Sequence, residues 1–360
     1  MSTNTRFYEI DLLRFISAFF VLVFHYTYTG YMEGFSTIAN FESVRNYSRY
    51  AYMGINFFFV ISGFVIFMSI EKGSARQFLL SRFIRLFPAY WTALCLTTLL
   101  TLVIGANVFT VTPWQFITNI IMVNELLNEK AIDSAYWTLF IELQFYVVVY
   151  ILLLFGLIKY FQHIIFVILI ASLLALYLPI AQADSMWTEI FPHWSGYFAC
   201  GGVFYLLKRD GINFYRLFLL IVSFLYVLKQ STLFGQLMSH WFKIEFNLYV
   251  IALINSVFFT YFCITTFCKG HFMRQRWCYY FGVLTYPLYL VHQHIGYMIF
   301  NAFGTVDNIG YLVAATITLM LMLAWLIHRY IEVKLAINFK RVGCKILGIN
   351  SRYRRHLNNI

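Results

Sequence analysis

Charge is what this chain has least of. Lys and Arg number 26 and Asp and Glu 15 among 360 residues, 11% in all, against about 25% in a soluble domain. That scarcity argues against a soluble fold of this size. Cysteine is sparse as well, with six residues and no CxxC pair. Cys95, Cys200 and Cys263 fall in apolar runs, while Cys268, Cys278 and Cys344 fall on the side expected to face a reducing cytoplasm. Neither a disulfide framework nor a metal site is expected. There is no internal repeat of the kind that marks many transporters, no low-complexity tract and no separate soluble domain. The first apolar run is too long for a secretory signal, and no small-residue cleavage site precedes HYTYTGY (25–31), so no cleaved leader is expected.

What the chain has instead is apolar bulk: 61% hydrophobic residues, with 40 Phe and 27 Tyr. Runs near twenty residues, separated by short charged loops, read as transmembrane helices. Ten are expected, at roughly 10–29, 52–70, 89–105, 138–157, 163–180, 192–207, 214–229, 247–267, 280–300 and 310–330. The sixth and seventh are short and read as tilted or partly re-entrant. The expected class is an all-α polytopic membrane protein with about ten transmembrane helices. With the N-terminus in the cytoplasm, nineteen Lys and Arg fall on the cytoplasmic side. Only Arg45, Arg49, Lys130, Lys229 and Lys243 fall opposite. The positive-inside rule then puts both termini in the cytoplasm. The net charge of +11 therefore reads as topology, and no nucleic-acid partner is expected. Residues 1–335 form the transmembrane domain, and 336–360 a basic cytoplasmic tail drawn to anionic lipid.

The first run, DLLRFISAFFVLVFHYTYTG (11–30), carries Asp11, Arg14 and His25. Ionisable groups in a span are costly and need a partner or a wet cavity. Arg14 and His25 are eleven residues apart, which on a helix places them on one face about 16 Å apart. Asp11 lies one turn below Arg14, and the small residues Ser17 and Ala18 leave room between. The structural alternative pairs Arg14 with Asp11 near the interface and packs His25 in a core. The shared face favours a working surface.

That pattern resembles the membrane acyltransferase-3 family, multi-span enzymes that O-acylate cell-envelope sugars. Four further blocks extend the likeness over about 290 residues: GINFFFVISGFVIF (54–67), FLLSRFIRLFPAYW (78–91), AYWTLFIELQFYVVVY (135–150) and LTYPLYLVHQHIGY (284–297). Two departures stand out. Phe15 follows the arginine where members often have Gly, and the expectation is a stand-alone form without the hydrolase-like C-terminal domain many members carry.

The resemblance implies that His25 is the catalytic histidine, acting as base or as acyl carrier. It implies cytoplasmic acetyl-CoA as co-substrate, with no permanently bound cofactor. The acceptor it implies is a cell-envelope polysaccharide or lipid-linked glycan, and the location a bacterial inner membrane. Arg14 would line the donor's path. Arg82 and Arg85, one turn apart, would clamp its phosphates, although ordinary positive-inside residues look the same. Glu142 is expected to orient His25 or bind an acceptor hydroxyl, with a structural pair with Arg or Tyr as the plain alternative. Trp137 offers a stacking face for sugar or a simple interfacial anchor. Ser62 and Gly63 are expected to permit close helix packing. His292 takes a structural or accessory polar role, His294 is left unassigned, and the HxxxxE spacing of His240 and Glu245 is read as coincidence. The competing function is a transporter or flippase of a lipid-linked sugar, in which His25 would be replaceable.

Overall fold

The computed structural model describes residues 7–349 except 71–72, 106–107, 178–189, 268–274 and 276, and leaves out the side chains of 190–192. Arg6, Lys72, Lys269, Arg274, Arg276, Arg352, Arg354, Arg355 and Cys268, which entered the expected charge and cysteine distribution, lie outside the described residues. Among those described, every regular element is helical. Eight helical runs are long and apolar enough to cross a membrane. The chain is a polytopic all-α membrane protein.

The principal helices are α1 (Tyr8–Phe24), α2 (Glu42–Ser48), α3 (Gly54–Ile70), α4 (Ala75–Ile104), α5 (Pro113–Asn119), α6 (Trp137–Leu154) and α7 (Phe161–Ala175). They continue with α8 (Ile190–Asp210), α9 (Phe214–Phe242), α10 (Leu248–Phe267), α11 (Trp277–Val291), α12 (Gln293–Phe303), α13 (Ile309–Leu326) and α14 (Ala336–Ile346). All ten expected spans are found as helices, though two fall outside the eight. The sixth, α8, carries Gly196, Gly201 and Gly202 and ends in Lys208, Arg209 and Asp210, which lowers its hydropathy. The ninth is divided at His292 into helices of 15 and 11 residues.

The seventh corrects the expectation of a short span, because α9 runs for 29 residues. Lys229 and Gln230 look like a span end in the sequence. The helix continues because the next turn is inside a polar network. Asn56 Nδ2 donates to Ser231 Oγ at 3.2 Å, Tyr197 and Ser231 share a 2.8 Å bond, and Ser231 donates to Asn255 Oδ1 at 3.3 Å. These bonds join α3, α8, α9 and α10 inside the bundle, as interhelical polar groups do in membranes.

Local sequence sets the helix starts. Ser74 opens α4 with a reciprocal capping box: Gln77 N donates to Ser74 Oγ, and Ser74 N to Gln77 Oε1 at 2.9 Å. Thr112 caps α5 ahead of Pro113, and Asn213 caps α9. Close packing follows from glycine. A Cβ on Gly63 would collide with the Phe198 backbone, and one on Gly201 with Val60 O. Helices α3 and α8 therefore meet backbone to backbone, the arrangement small residues allow. Beside them, α1 packs chiefly on α11 and α3.

One face of the bundle gathers the start of α1, the ends of α3, α8 and α10, the starts of α4 and α11, and the last described helix, α14. Phe7 meets Phe64 edge-on at 5.9 Å, Lys208 Nζ donates to Thr265 O at 2.9 Å, and Phe83 meets Phe339 at 6.1 Å. A Cβ on Gly343 would strike Leu80. The segment from 336 therefore starts as helix α14, docked on α4. The opposite face is tied by Asn301 Nδ2 donating to Phe35 O at 2.8 Å and Asn247 N donating to Tyr50 Oη at 3.0 Å.

Candidate active site

The helix that carries His25 changes its winding at that residue. From His25 to Thr29 the turns are π-helical, and Gly30 N–H donates to His25 O. Such wide turns recur at functional sites. The turn brings Thr29 Oγ1 within 2.9 Å of His25 Nδ1. Tyr297 of α12 closes the group, 3.0 Å from Thr29 Oγ1 and 3.2 Å from His25 O. Its approach needs Gly30, where a Cβ would press into the Tyr297 ring.

The Tyr297 hydroxyl lies within hydrogen-bond distance of three groups: His25 O, Thr29 Oγ1 and, at 3.3 Å, His25 Nδ1. A carbonyl oxygen only accepts, so where this hydroxyl donates to His25 O, Thr29 donates to Tyr297 and His25 Nδ1 donates to Thr29. That arrangement protonates Nδ1 and leaves Nε2 of the neutral imidazole as the lone-pair nitrogen. His25 itself is half-buried, so that nitrogen belongs to a side chain that is not sealed off.

Around this ring lies a second tier. The His292 ring is 5.2 Å from the His25 ring between centroids, and Tyr26 Oη donates to His292 O at 2.6 Å. Asp133, fully buried, caps two helix starts at once, accepting from Ala135 N and His294 N at 2.9 Å each. His294 Nε2 lies 2.9 Å from Ser134 Oγ. Just past the π-turn, Glu33 N–H donates to Thr29 O. Solvent reaches Glu33 on one side, yet crowding on the other desolvates its carboxyl and pushes it up to about 7.

Toward the N-terminal face lies a separate group. Glu142 Oε1 accepts from Tyr146 Oη at 2.7 Å and from Ser62 Oγ at 3.3 Å. The expected pairing of Glu142 with His25 is therefore corrected: His25 Nδ1 is held by Thr29, and Glu142 is held by its own helix and by α3. Arg14 lies over the Phe58 ring at 5.7 Å, with its Nε buried and lacking a hydrogen-bond partner. Asp11 is lodged against Gly282, where a Cβ would displace it. Between Arg14 and His25 the α1 face is not a polar stripe. Ser17, Ala18 and Val21 border a narrow one-sided hollow of about 10 Å³, room for roughly one water, closed by Phe58, Thr138 and Tyr289.

The two arginines of α4 point to different neighbours. Arg82 lies over Tyr146 at 5.6 Å. Arg85 lies over Tyr286 at 5.4 Å and pairs with Glu332 Oε1 at 3.1 Å. The same carboxylate meets His328 Nδ1 through Oε2 at 2.7 Å.

A family model described as an acyltransferase domain matches residues 7–329. The chain belongs to the acyltransferase-3 family. No curated protein and no solved structure matches it closely enough to add a relative. The chain is thus a membrane acyltransferase, and its site joins an acyl donor to an acceptor.

In this acyltransferase the folded chain brings Arg14, Ser62, Glu142, Arg82 and Arg85 toward one end of the α1 face, and His25 and His292 toward the other. Trp137, half-buried, meets Trp194 at 5.4 Å with the rings tilted by 58°. Sequence reading missed Thr29, Tyr297, Asp133, Tyr146 and Glu332. For Thr29 the signal was available: it stands four residues after His25, where a helix turn returns it to the same face. Tyr297 and Asp133 depend on contacts across more than 100 residues, which no local spacing reports.

Proposed function

We propose that the protein is an O-acetyltransferase that moves an acetyl group from acetyl-CoA to a hydroxyl of a cell-envelope polysaccharide or its lipid-linked precursor. The observation that carries this reading is the cluster of His25, Thr29 and Tyr297, which engages the imidazole through Nδ1 and leaves Nε2 as the nitrogen for the acceptor. A bare imidazole nitrogen in a half-buried side chain suits removal of a hydroxyl proton near neutral pH.

The chemistry balances with these residues. His25 Nε2 takes the proton of the acceptor hydroxyl as its oxygen attacks the thioester carbonyl. The C–O bond forms, the C–S bond breaks, and the imidazolium returns the proton to the departing thiolate, giving free CoA and an ester. Thr29 and Tyr297 hold the ring in the tautomer this requires. Arg14, Arg82 and Arg85 supply positive charge toward the N-terminal face, which we take as cytoplasmic from the distribution of Lys and Arg. The donor's phosphates would meet them there, and the hollow beside Ser17 and Ala18 lies between that charge and His25.

Membrane vesicles containing the protein, given acetyl-CoA labelled in the acetyl group, test the reading. Base-labile label on envelope glycan, absent from vesicles carrying His25→Ala, is the expected result. Label that stays in acetyl-CoA while the glycan crosses the membrane would favour a carrier.

A further inference from the structure

The structure holds a second imidazole whose free nitrogen has no partner. His292 sits where α11 gives way to α12. Its Nδ1 is 2.8 Å from Tyr289 O, and because a carbonyl only accepts, Nδ1 carries the hydrogen. In the neutral ring Nε2 is the lone-pair nitrogen. That atom is buried and makes no hydrogen bond, in a residue only 1% exposed. Buried polar atoms are nearly always satisfied, and an exception calls for a reason.

The neighbouring ring supplies one. His25 and His292 lie 5.2 Å apart between centroids, tilted by 47°. In the neutral rings the two do not hydrogen-bond, and a proton gained by His25 would give the facing ring of His292 a donor to accept from. His292 has Nδ1 committed as a donor to Tyr289 O, and His25 has Nδ1 engaged as a donor in the arrangement that runs through Thr29 to Tyr297. Two acceptors then stand side by side with no donor between them, which is a vacancy for one proton. The other charged groups nearby are already engaged. Asp133 caps Ala135 and His294, and Glu142 holds Tyr146 and Ser62.

We infer that His292 is a positioning residue for acyl transfer: its bare Nε2 shares the proton that His25 removes from the acceptor hydroxyl. The step rests on the function proposed above. The proton passes from the hydroxyl to His25 Nε2, is held as Nε2–H···Nε2 against His292, and leaves on the thiolate of the departing CoA. No group changes oxidation state. The Tyr26 bond to His292 O fixes the second ring to the helix that carries the first, so the pair is built to move together.

The test uses purified full-length protein, with acetyl-CoA turnover on envelope glycan, melting temperature and donor KM followed in parallel. His292→Asn keeps an N–H able to reach Tyr289 O and removes the distal acceptor. His292→Gln places a carbonyl oxygen near the lost nitrogen. The expected result is a fall in kcat of about 100-fold for His292→Asn with KM for acetyl-CoA unchanged, and partial recovery in His292→Gln. Wild-type kcat in His292→Asn, or equal loss in both variants together with a fall in melting temperature, would overturn the inference in favour of a packing role. If His292→Asn does not fold, His292→Phe, which keeps an aromatic ring and has no acceptor, takes its place: reduced kcat at constant KM supports the shared proton, and wild-type kcat refutes it. His25→Ala is run alongside. Turnover there equal to wild type removes the underlying function and this inference together. A dead His25→Ala beside a fully active His292→Asn removes this inference only.

Discussion

His25 Nδ1 lies 2.9 Å from Thr29 Oγ1 across a π-helical turn, and this bond decides which imidazole nitrogen is free. Thr29→Val keeps the shape and removes the hydroxyl. The tautomer is then no longer selected, and kcat should fall about 10-fold or more, with donor KM unchanged. Thr29→Ser should keep activity near wild type. Equal kcat in Thr29→Val and wild type would remove the threonine from this role.

Arg85 is held by Glu332 at 3.1 Å, so a donor phosphate that uses Arg85 must compete with a carboxylate. Two substitutions should then move donor affinity in opposite directions. Arg85→Ala should raise KM for acetyl-CoA by about 10-fold, the scale of one charge-assisted hydrogen bond. Glu332→Gln should lower it. If both variants raise KM, the pair acts by holding α4 to the last span, and phosphate binding at Arg85 is refuted.

The contact between α3 and α8 tolerates no side chain at Gly63 or Gly201. Alanine at either position should destabilise the bundle by about 1–3 kcal/mol through overpacking. The drop in melting temperature should appear even without substrate. Gly34, where a Cβ would meet nothing within 4 Å but φ is +75°, makes a useful comparison. Alanine there should cost through backbone strain alone.

Glu33, raised by desolvation to about 7 from the usual 4.5, gives a pH dependence of stability. The folded chain keeps its proton where the unfolded chain has lost it. Stability from this group is therefore fully present below about pH 4.5 and falls as pH rises toward 7. Glu33→Gln, uncharged throughout, should flatten that slope and melt higher than wild type at pH 8. Parallel melting curves from pH 4.5 to 8 would remove Glu33 as the source.

Much of the fold is legible in the sequence because hydropathy is a local property. Ten apolar runs became ten helical regions, and the capping box at Ser74 and Gln77 marks where α4 begins. The error at α9 arose because Ser231 is polar in sequence but meets partners on three other helices. The site divides the same way. Arg14 and His25 share a helix, so their spacing was readable, and His25 and Thr29 were within reach of the same reasoning. Tyr146, one turn on from Glu142, was within that reach too, whereas the separation of Glu142 from His25 was not, because residues 25 and 142 are related only by packing. Ser62 and Tyr146 meet that carboxylate, and the histidine placed beside His25 comes from 267 positions further along the chain.

The central claim is that His25 takes the acceptor's proton, and release of free CoA by purified protein tests it most directly. Wild type, His25→Ala and His25→Gln would be compared with acetyl-CoA and envelope glycan, after melting curves show all three folded. The account predicts glycan-dependent CoA release in wild type and a loss of at least about 100-fold in both variants. Wild-type release from either folded variant would contradict it.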